Sequence, residues 1–314
     1  MNTYTNPVYP EYFADPFVLE DAGTYYAYGT VPGAQESGVF GLLTSPDLTN
    51  WTSLGRVLPP LPDASCTDYW APEVAQHEGR FYLYYSVGRG DQGHHLRVAM
   101  ADHPAGPFTD QGRVLTPELP FAIDPHPFQD TDGRWYLYYA TDLLDGERVG
   151  TSLVVQPLKN MLALEGEPQT VLRASHDWQL YQRARPMYGA VYDWHTLEGP
   201  FVLNRDGQYY CFYSGGAWTN PSYGVSYAVA EQPLGPWHEP HAGEPAILKT
   251  VPSSVIGPGH NSVVRGPGDQ DVMVYHAWDA AHTARRVCVD RLDWTPDGPR
   301  LRGPTWTPQP VFGA

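Results

Sequence analysis

Five short motifs in this 314-residue chain each carry at least one ionisable side chain beside or near Pro or Gly. They are Asp15 in ADPFV, Glu73 in APEV, Asp124 in IDPHPF, Glu198 in LEGPFV and His260 in GHNSV. Carboxylates gathered from such distant positions repel one another, so they persist where they bind a cation, share protons or do chemistry. Two carboxyls with separated pKa values are what glycosidic cleavage needs. One stays protonated and donates to the departing oxygen; the other stays ionised and activates water or attacks. Aromatic residues flank the motifs, among them Phe13, Trp70, Phe128, Trp194 and Phe201, and aromatic faces pack well on the C–H surfaces of sugars. The constellation reads as a carbohydrate site.

The elements that would position these residues recur along the chain. Each motif is followed by a turn and a β-prone run rich in Tyr: GTYYAYGT (23–30), GRFYLYYSVG (79–88), GRWYLYYAT (133–141), GQYYCFYSGG (207–216) and DVMVYHAW (271–278). The ionisable residue precedes the centre of its run by 9 to 13 residues, and the unit repeats every 54 to 74 residues. Such lengths suit a four-stranded blade with variable loops. The prediction is an all-β fold: a five-bladed β-propeller with four antiparallel strands per blade, one domain over 1–314. With the motif strands innermost, the five ionisable residues converge on one axis. A β-sandwich using Tyr-Tyr as strand filler would not explain five motifs at similar offsets. No apolar run sustains a helical period.

In order, ADPFV, YWAPEV, IDPHPF, LEGPFV and GPGHNSV resemble the motif set of glycoside hydrolase family 43, over residues 14–263. The tail HTARRVCVDRLDWTPDG (282–298) resembles that family's last blade. Members are five-bladed propellers that hydrolyse arabinose- and xylose-containing glycans with inversion. The resemblance implies that Asp15 is the general base, Glu198 the general acid, and Asp124 the carboxylate that raises and orients the acid. It implies for His260 a place on the axis beside a calcium ion or a water. Trp70 falls where members place substrate-contacting residues. Phe128 and Trp194 are read as further walls of the sugar site, and Arg285 as the arginine that reaches it, with Arg286 solvated. Glu73 reads as a hydrogen-bonding or lining residue of its inner strand, and His94 and His95 as rim residues. The related fructan-cleaving family carries NDPNG-like and EC-type motifs; Pro-Phe-Val after Asp15 and Gly-Pro after Glu198 depart from both.

Composition narrows the partners. With 35 acidic against 19 basic residues the net charge is −16, and only Lys159 and Lys249 are lysines. Such a surface repels phosphate backbones and anionic membranes, so neither nucleic acid nor membrane is expected as a partner. Three dispersed cysteines make no zinc or disulfide framework. No GxSxG, HExxH, Walker or GxGxxG motif offers competing chemistry. The N-terminus shows neither a basic nor an apolar leader region, which leads to the expectation of a cytoplasmic enzyme working on imported arabinose- or xylose-containing oligosaccharides. The expected activity is that of an inverting, exo-acting α-L-arabinofuranosidase, with the insert 142–190 walling off a pocket. A β-xylosidase or endo-arabinanase is the near alternative. A non-catalytic sugar-binding propeller is the rival from another class, but it would have lost one of the three carboxylates.

Overall fold

The computed structural model describes residues 2–34 and 37–313. Each motif strand turns back antiparallel onto the aromatic strand that follows it: Ala14–Asp21 onto Thr24–Thr30, Asp68–His77 onto Arg80–Arg89, Ala122–Gln129 onto Trp135–Leu143, Ala190–Arg205 onto Gln208–Gly215, and Ile256–Gly266 onto Gln270–Trp278. The first, second and fifth hairpins extend into separate four-stranded sheets. The third and fourth share a nine-stranded sheet, because Gly150–Asn160 runs parallel to Ala190–Arg205 over two residue pairs, Gly150 with His195 and Thr151 with Thr196. Only glycine allows that approach: a Cβ on Gly150 would stand 1.9 Å from the His195 carbonyl oxygen. Among the described residues the one helical element is a three-residue 3-10 turn, Asp177–Gln179, and no helix is long and apolar enough to cross a membrane.

Paired tyrosines follow from sheets that are covered on both faces. Successive residues of a strand point to opposite faces, so Tyr84 joins the core with Leu137 and Tyr139 while Tyr85 joins the one with Tyr28 and Val39. All these rings are fully buried, and their phenols find backbone partners or side chains across the cores. Tyr28 donates to the Pro104 carbonyl at 2.5 Å, Tyr84 to Met161 at 2.8 Å and Tyr138 to Pro233 at 2.6 Å.

All five motif strands break register at one equivalent place: Ala14/Phe17, Trp70/Glu73, Ile123/His126, Glu198/Phe201 and Gly259/Ser262. At each break one residue takes a left-handed backbone: Asp15 (φ 52°), Ala71 (47°), Asp124 (58°), Gly199 (55°) and His260 (48°). Such a bulge frees an N–H from the ladder, and a buried N–H needs a partner. A neighbouring hairpin supplies it. Asp15 N–H donates to His276 Nδ1 at 3.0 Å, Ala71 N–H to Thr30 Oγ1 at 2.9 Å, Gly199 N–H to Asp124 Oδ2 at 2.9 Å and His260 N–H to Ser214 Oγ at 2.7 Å. The bulges correct one expectation. Asp15, Asp124 and His260 hold the same position, but Glu198 stands one residue before it and Glu73 two after, so the five ionisable residues are not structural equivalents.

The two ends of the chain meet. Thr3–Tyr4 pairs with Gln309–Pro310, and the following segment lies along Arg285–Thr295, with Val8 N–H donating to Val287 O and Phe13 N–H to Arg285 O, both at 2.9 Å. Asn6 imitates a strand residue there: its Nδ2 donates to Val289 O and its Oδ1 accepts from Val289 N–H, each at 2.9 Å. Asn6→Ala leaves the buried Val289 N–H unpaired and its carbonyl with only the Tyr4 hydroxyl at 3.1 Å, which costs about 1–3 kcal/mol. A drop of that size in chemical denaturation is expected; unchanged stability would show that the terminal seam does not hold the fold.

Candidate active site

The motif strands border a cavity of about 450 Å³. Its polar lining includes Asp15, Asp124, Glu198, His260 and Arg285, with Asp68 and Asp91 besides, and Tyr12, Phe40, Tyr69, Trp70, Tyr181 and Trp218 form its aromatic walls. The bulge explains the convergence. It turns Asp15, Asp124 and His260 out of the ladder, and at Gly199 it turns the strand beside Glu198. A Cβ on Gly199, already at φ +55°, would stand 3.1 Å from the His260 ring.

The carboxyls are unlike in charge. Burial alone would raise Asp15, but the Arg285 guanidinium, with His260, His276 and Thr30, more than offsets this and holds the carboxyl well below its ordinary range. Arg285 Nη1 lies 3.2 Å from Asp15 Oδ1, and His260 Nδ1 lies 3.4 Å from the same oxygen. Glu198 behaves oppositely. Burial pushes it up and the charge of Asp15 adds to this, while a hydrogen bond from the Tyr223 hydroxyl at 2.6 Å and the charge of Arg285 oppose; the result is about 7. Asp124 is also raised, by burial first and then by Glu198 and Asp15. Its donor atom, that of Glu198 and that of His260 lie within 4.8 Å of one another. The floor therefore holds one carboxylate ionised well below neutral pH and a neighbouring carboxyl pair whose titration is shifted upward, that of Glu198 to about 7.

Arg285 is itself fixed. Its Nε and Nη2 donate to the Tyr12 hydroxyl at 2.9 and 2.7 Å, and its guanidinium lies 4.4 Å from the Trp218 ring centre. Arg286 instead pairs with Asp279 at 3.0 Å. Trp70 lines the cavity and stacks on His94, ring centres 3.8 Å apart. His94 is fully buried behind it, against the expectation of a rim residue, and burial lowers its pKa to about 4.

Two expected wall residues do not reach the cavity. Phe128 shares a strand face with His126 and packs edge-on against Tyr138 and Tyr209 in an inter-sheet core. Trp194 is 1% exposed, under Tyr188 and Tyr192. Glu73 does not line the cavity either. Val202 N–H donates to His126 Nε2 at 2.9 Å, which leaves the imidazole proton on Nδ1 to donate to Glu73 Oε2 at 2.6 Å. Sequence reasoning missed Tyr12, Tyr181, Trp218 and Tyr223, which lie outside the recurring motifs. Tyr181 belongs to the insert 142–190 and forms part of a wall, as that insert's length suggested.

A calcium ion takes six to eight oxygen ligands. The clustered donors here are two carboxyls and one imidazole, and both carboxyls already accept hydrogen bonds, from Gly199 and Tyr223. This set does not fit calcium, and no step below passes through a metal.

A β-rich fold with one ionised and one protonated carboxyl in an aromatic-walled cavity defines a glycosidase-like site. The family model for glycosyl hydrolases family 43 matches residues 4–299, and the chain belongs to that family. It is 30% identical over 309 residues to a β-D-galactofuranosidase of Aspergillus niger, covering 91% of this chain and 81% of that one. It is 26% identical to an extracellular exo-α-(1→5)-L-arabinofuranosidase of Streptomyces avermitilis, covering 94% of this chain and 62% of the relative's length. The crystal structure of a thermostable family-43 glycoside hydrolase superposes with a TM-score of 0.85 at 33% identity, covering 98% of this chain and 99% of that one. The cytoplasmic placement expected from the sequence is corrected by these relatives, since the arabinofuranosidase is described as extracellular.

Tyr223→Phe removes a donor that favours ionised Glu198. Burial and Asp15 remain, so Glu198 should titrate above its value of about 7. Carbon-13 NMR of glutamate-labelled protein reads this directly; an unmoved or lowered midpoint would contradict the assigned hydrogen bond.

Proposed function

We propose that the chain is a single-domain, five-bladed propeller over 1–314 that removes terminal L-arabinofuranosyl units from arabinose-containing oligosaccharides with inversion. Five hairpins with the same bulge support the blade count, since the parallel contact inside the nine-stranded sheet joins only two residue pairs. The observation that carries the activity is the split in charge between Asp15 and Glu198 on one cavity floor.

In this reading Asp15 takes a proton from a water as that water's oxygen bonds to the anomeric carbon. Glu198 gives its proton to the departing oxygen as the glycosidic bond breaks, and solvent then returns the proton from Asp15 to Glu198. Asp124 lies within 4.8 Å of Glu198, and after burial the charge of an ionised Glu198 raises it further, so the two carboxyls resist carrying negative charge together. The hydrogen bond to Asp124 from Gly199 N–H also fixes the backbone beside the acid. Arg285 keeps Asp15 ionised and presents its remaining face to sugar hydroxyls.

The Streptomyces relative supports the arabinofuranosyl reading. The Aspergillus relative favours a second one, β-D-galactofuranose, whose ring has the same hydroxyl arrangement with a longer exocyclic arm. A panel of p-nitrophenyl α-L-arabinofuranoside, β-D-galactofuranoside and β-D-xylopyranoside separates them. The highest kcat/KM should fall on the first; a maximum on the second selects the other furanoside, and no hydrolysis of any would sink the reading. Glu198→Gln should lose about 10²–10⁴-fold on poor leaving groups and much less on activated aryl glycosides, whereas Asp15→Asn should lose comparably on both. Equal losses for Glu198→Gln on both substrate types would remove it as the acid.

A further inference from the structure

Beside the active-site cavity lies a second one of about 600 Å³ with a largely apolar lining that includes Phe121, Met187 and Val191. The same two segments border both. Asp91, in the turn after Arg80–Arg89, lines each cavity, and the hairpin made by Leu180–Met187 and the start of Ala190–Arg205 places Tyr181 in the first and Met187 and Val191 in the second. Arg185 falls between those positions, and its Nη2 donates to Asp91 Oδ2 at 2.5 Å. The arginine is held in place, with its guanidinium 4.9 Å from the Tyr181 ring centre and 5.4 Å from that of Trp194. Its side chain is 13% exposed, whereas that of Asp91 is 61% exposed. An ion pair this open to solvent on one side adds little to folding. Its position offers another use.

We propose that the Asp91–Arg185 ion pair is a partition that restricts the enzyme to chain ends: it separates the catalytic cavity from a second sugar-binding cavity that would otherwise hold the next residues of the same glycan. The proposal rests on the glycosidase reading above. With the pair closed, a chain enters by its terminal sugar alone. With the pair broken, the two cavities join into a trough long enough for sugars on both sides of the scissile bond. The apolar lining then receives a ring face, and the freed guanidinium is left to bind hydroxyls.

The test compares wild type with Asp91→Ala, Arg185→Ala, Asp91→Arg and the charge-swapped double variant Asp91→Arg/Arg185→Asp, acting on linear α-1,5-arabinan, with products resolved by length. Asp91 is exposed, so its variants should fold; circular dichroism checks each. The ratio of internal to terminal cleavage should rise at least tenfold in Asp91→Ala, Arg185→Ala and Asp91→Arg, and return toward wild type in the swap. Arabinotriose binding to Glu198→Gln protein, measured calorimetrically relative to arabinose, should strengthen when Asp91→Ala is added. An unchanged product ratio and unchanged trisaccharide preference would overturn the partition. So would a gain confined to longer substrates that still release only single sugars, because the second cavity would then serve the leaving group. Wild type inactive on every aryl glycoside of the panel would instead count against the glycosidase reading, and the binding arm would still decide the partition.

Discussion

Three carboxyl groups share one buried floor, and one guanidinium decides which of them keeps its charge. Arg285 is the single Lys or Arg among the described residues lining the cavity. Burial by itself would raise Asp15, Asp124 and Glu198 alike, leaving three neutral acids and no base. With Arg285 beside Asp15, one carboxyl ionises well below the others, and its charge in turn helps to hold protons on the remaining two. The placement of Arg285 depends on closure of the chain. The N-terminal segment covers the edge of Arg285–Thr295 through Phe13 N–H and Arg285 O, and so brings the Tyr12 hydroxyl under the guanidinium. Fold closure and site electrostatics are one arrangement.

The five bulges supply the geometry that this electrostatics needs. An unbroken ladder would have kept Asp15 and Asp124 in strand positions; the left-handed residue lets each break ranks, and at Asp15 the His276 side chain of a neighbouring hairpin satisfies the freed N–H. For non-glycine residues such a backbone costs on the order of 1–3 kcal/mol, and it recurs here at Asp15, Ala71, Asp124 and His260. At Ala71 no ionisable group stands on the bulge, and the neighbouring Trp70 lines the cavity instead. The same device thus delivers a carboxylate from two strands, an acid from the flank of a third, an aromatic wall from a fourth and an imidazole from the fifth.

Much of this was legible in the sequence, for physical reasons. Strands covered on both faces need large apolar residues at every position, so Tyr-Tyr runs after each motif mark the hairpins clearly. Pro at 16, 72, 125 and 200 marks the bulges, although the equivalence of Glu73 and Glu198 with Asp15 was misjudged by one or two residues. Two residues beyond the left-handed Ala71, Glu73 is back in the ladder opposite Tyr84 and meets His126 instead of the cavity. Phe128 and Trp194 were misplaced because aromatic residues fill the inter-sheet cores as readily as they wall a sugar site. Tyr12, Tyr181, Trp218 and Tyr223 carried no repeating signal, since each comes from a loop or a strand end whose position only the closed fold determines. The parallel contact at Gly150 was equally invisible, because it depends on a loop insert rather than on strand pattern.

On the proposed reading Asp15 acts through water and Glu198 as a proton donor, and neither bonds to the sugar. Proton NMR of the first product formed from an aryl α-L-arabinofuranoside tests it most directly, before mutarotation mixes the anomers. β-Arabinofuranose, the inverted anomer, is the expected initial product. Initial release of the α anomer would mean that a carboxylate attacks the sugar itself, and would contradict the division of roles that Arg285 imposes.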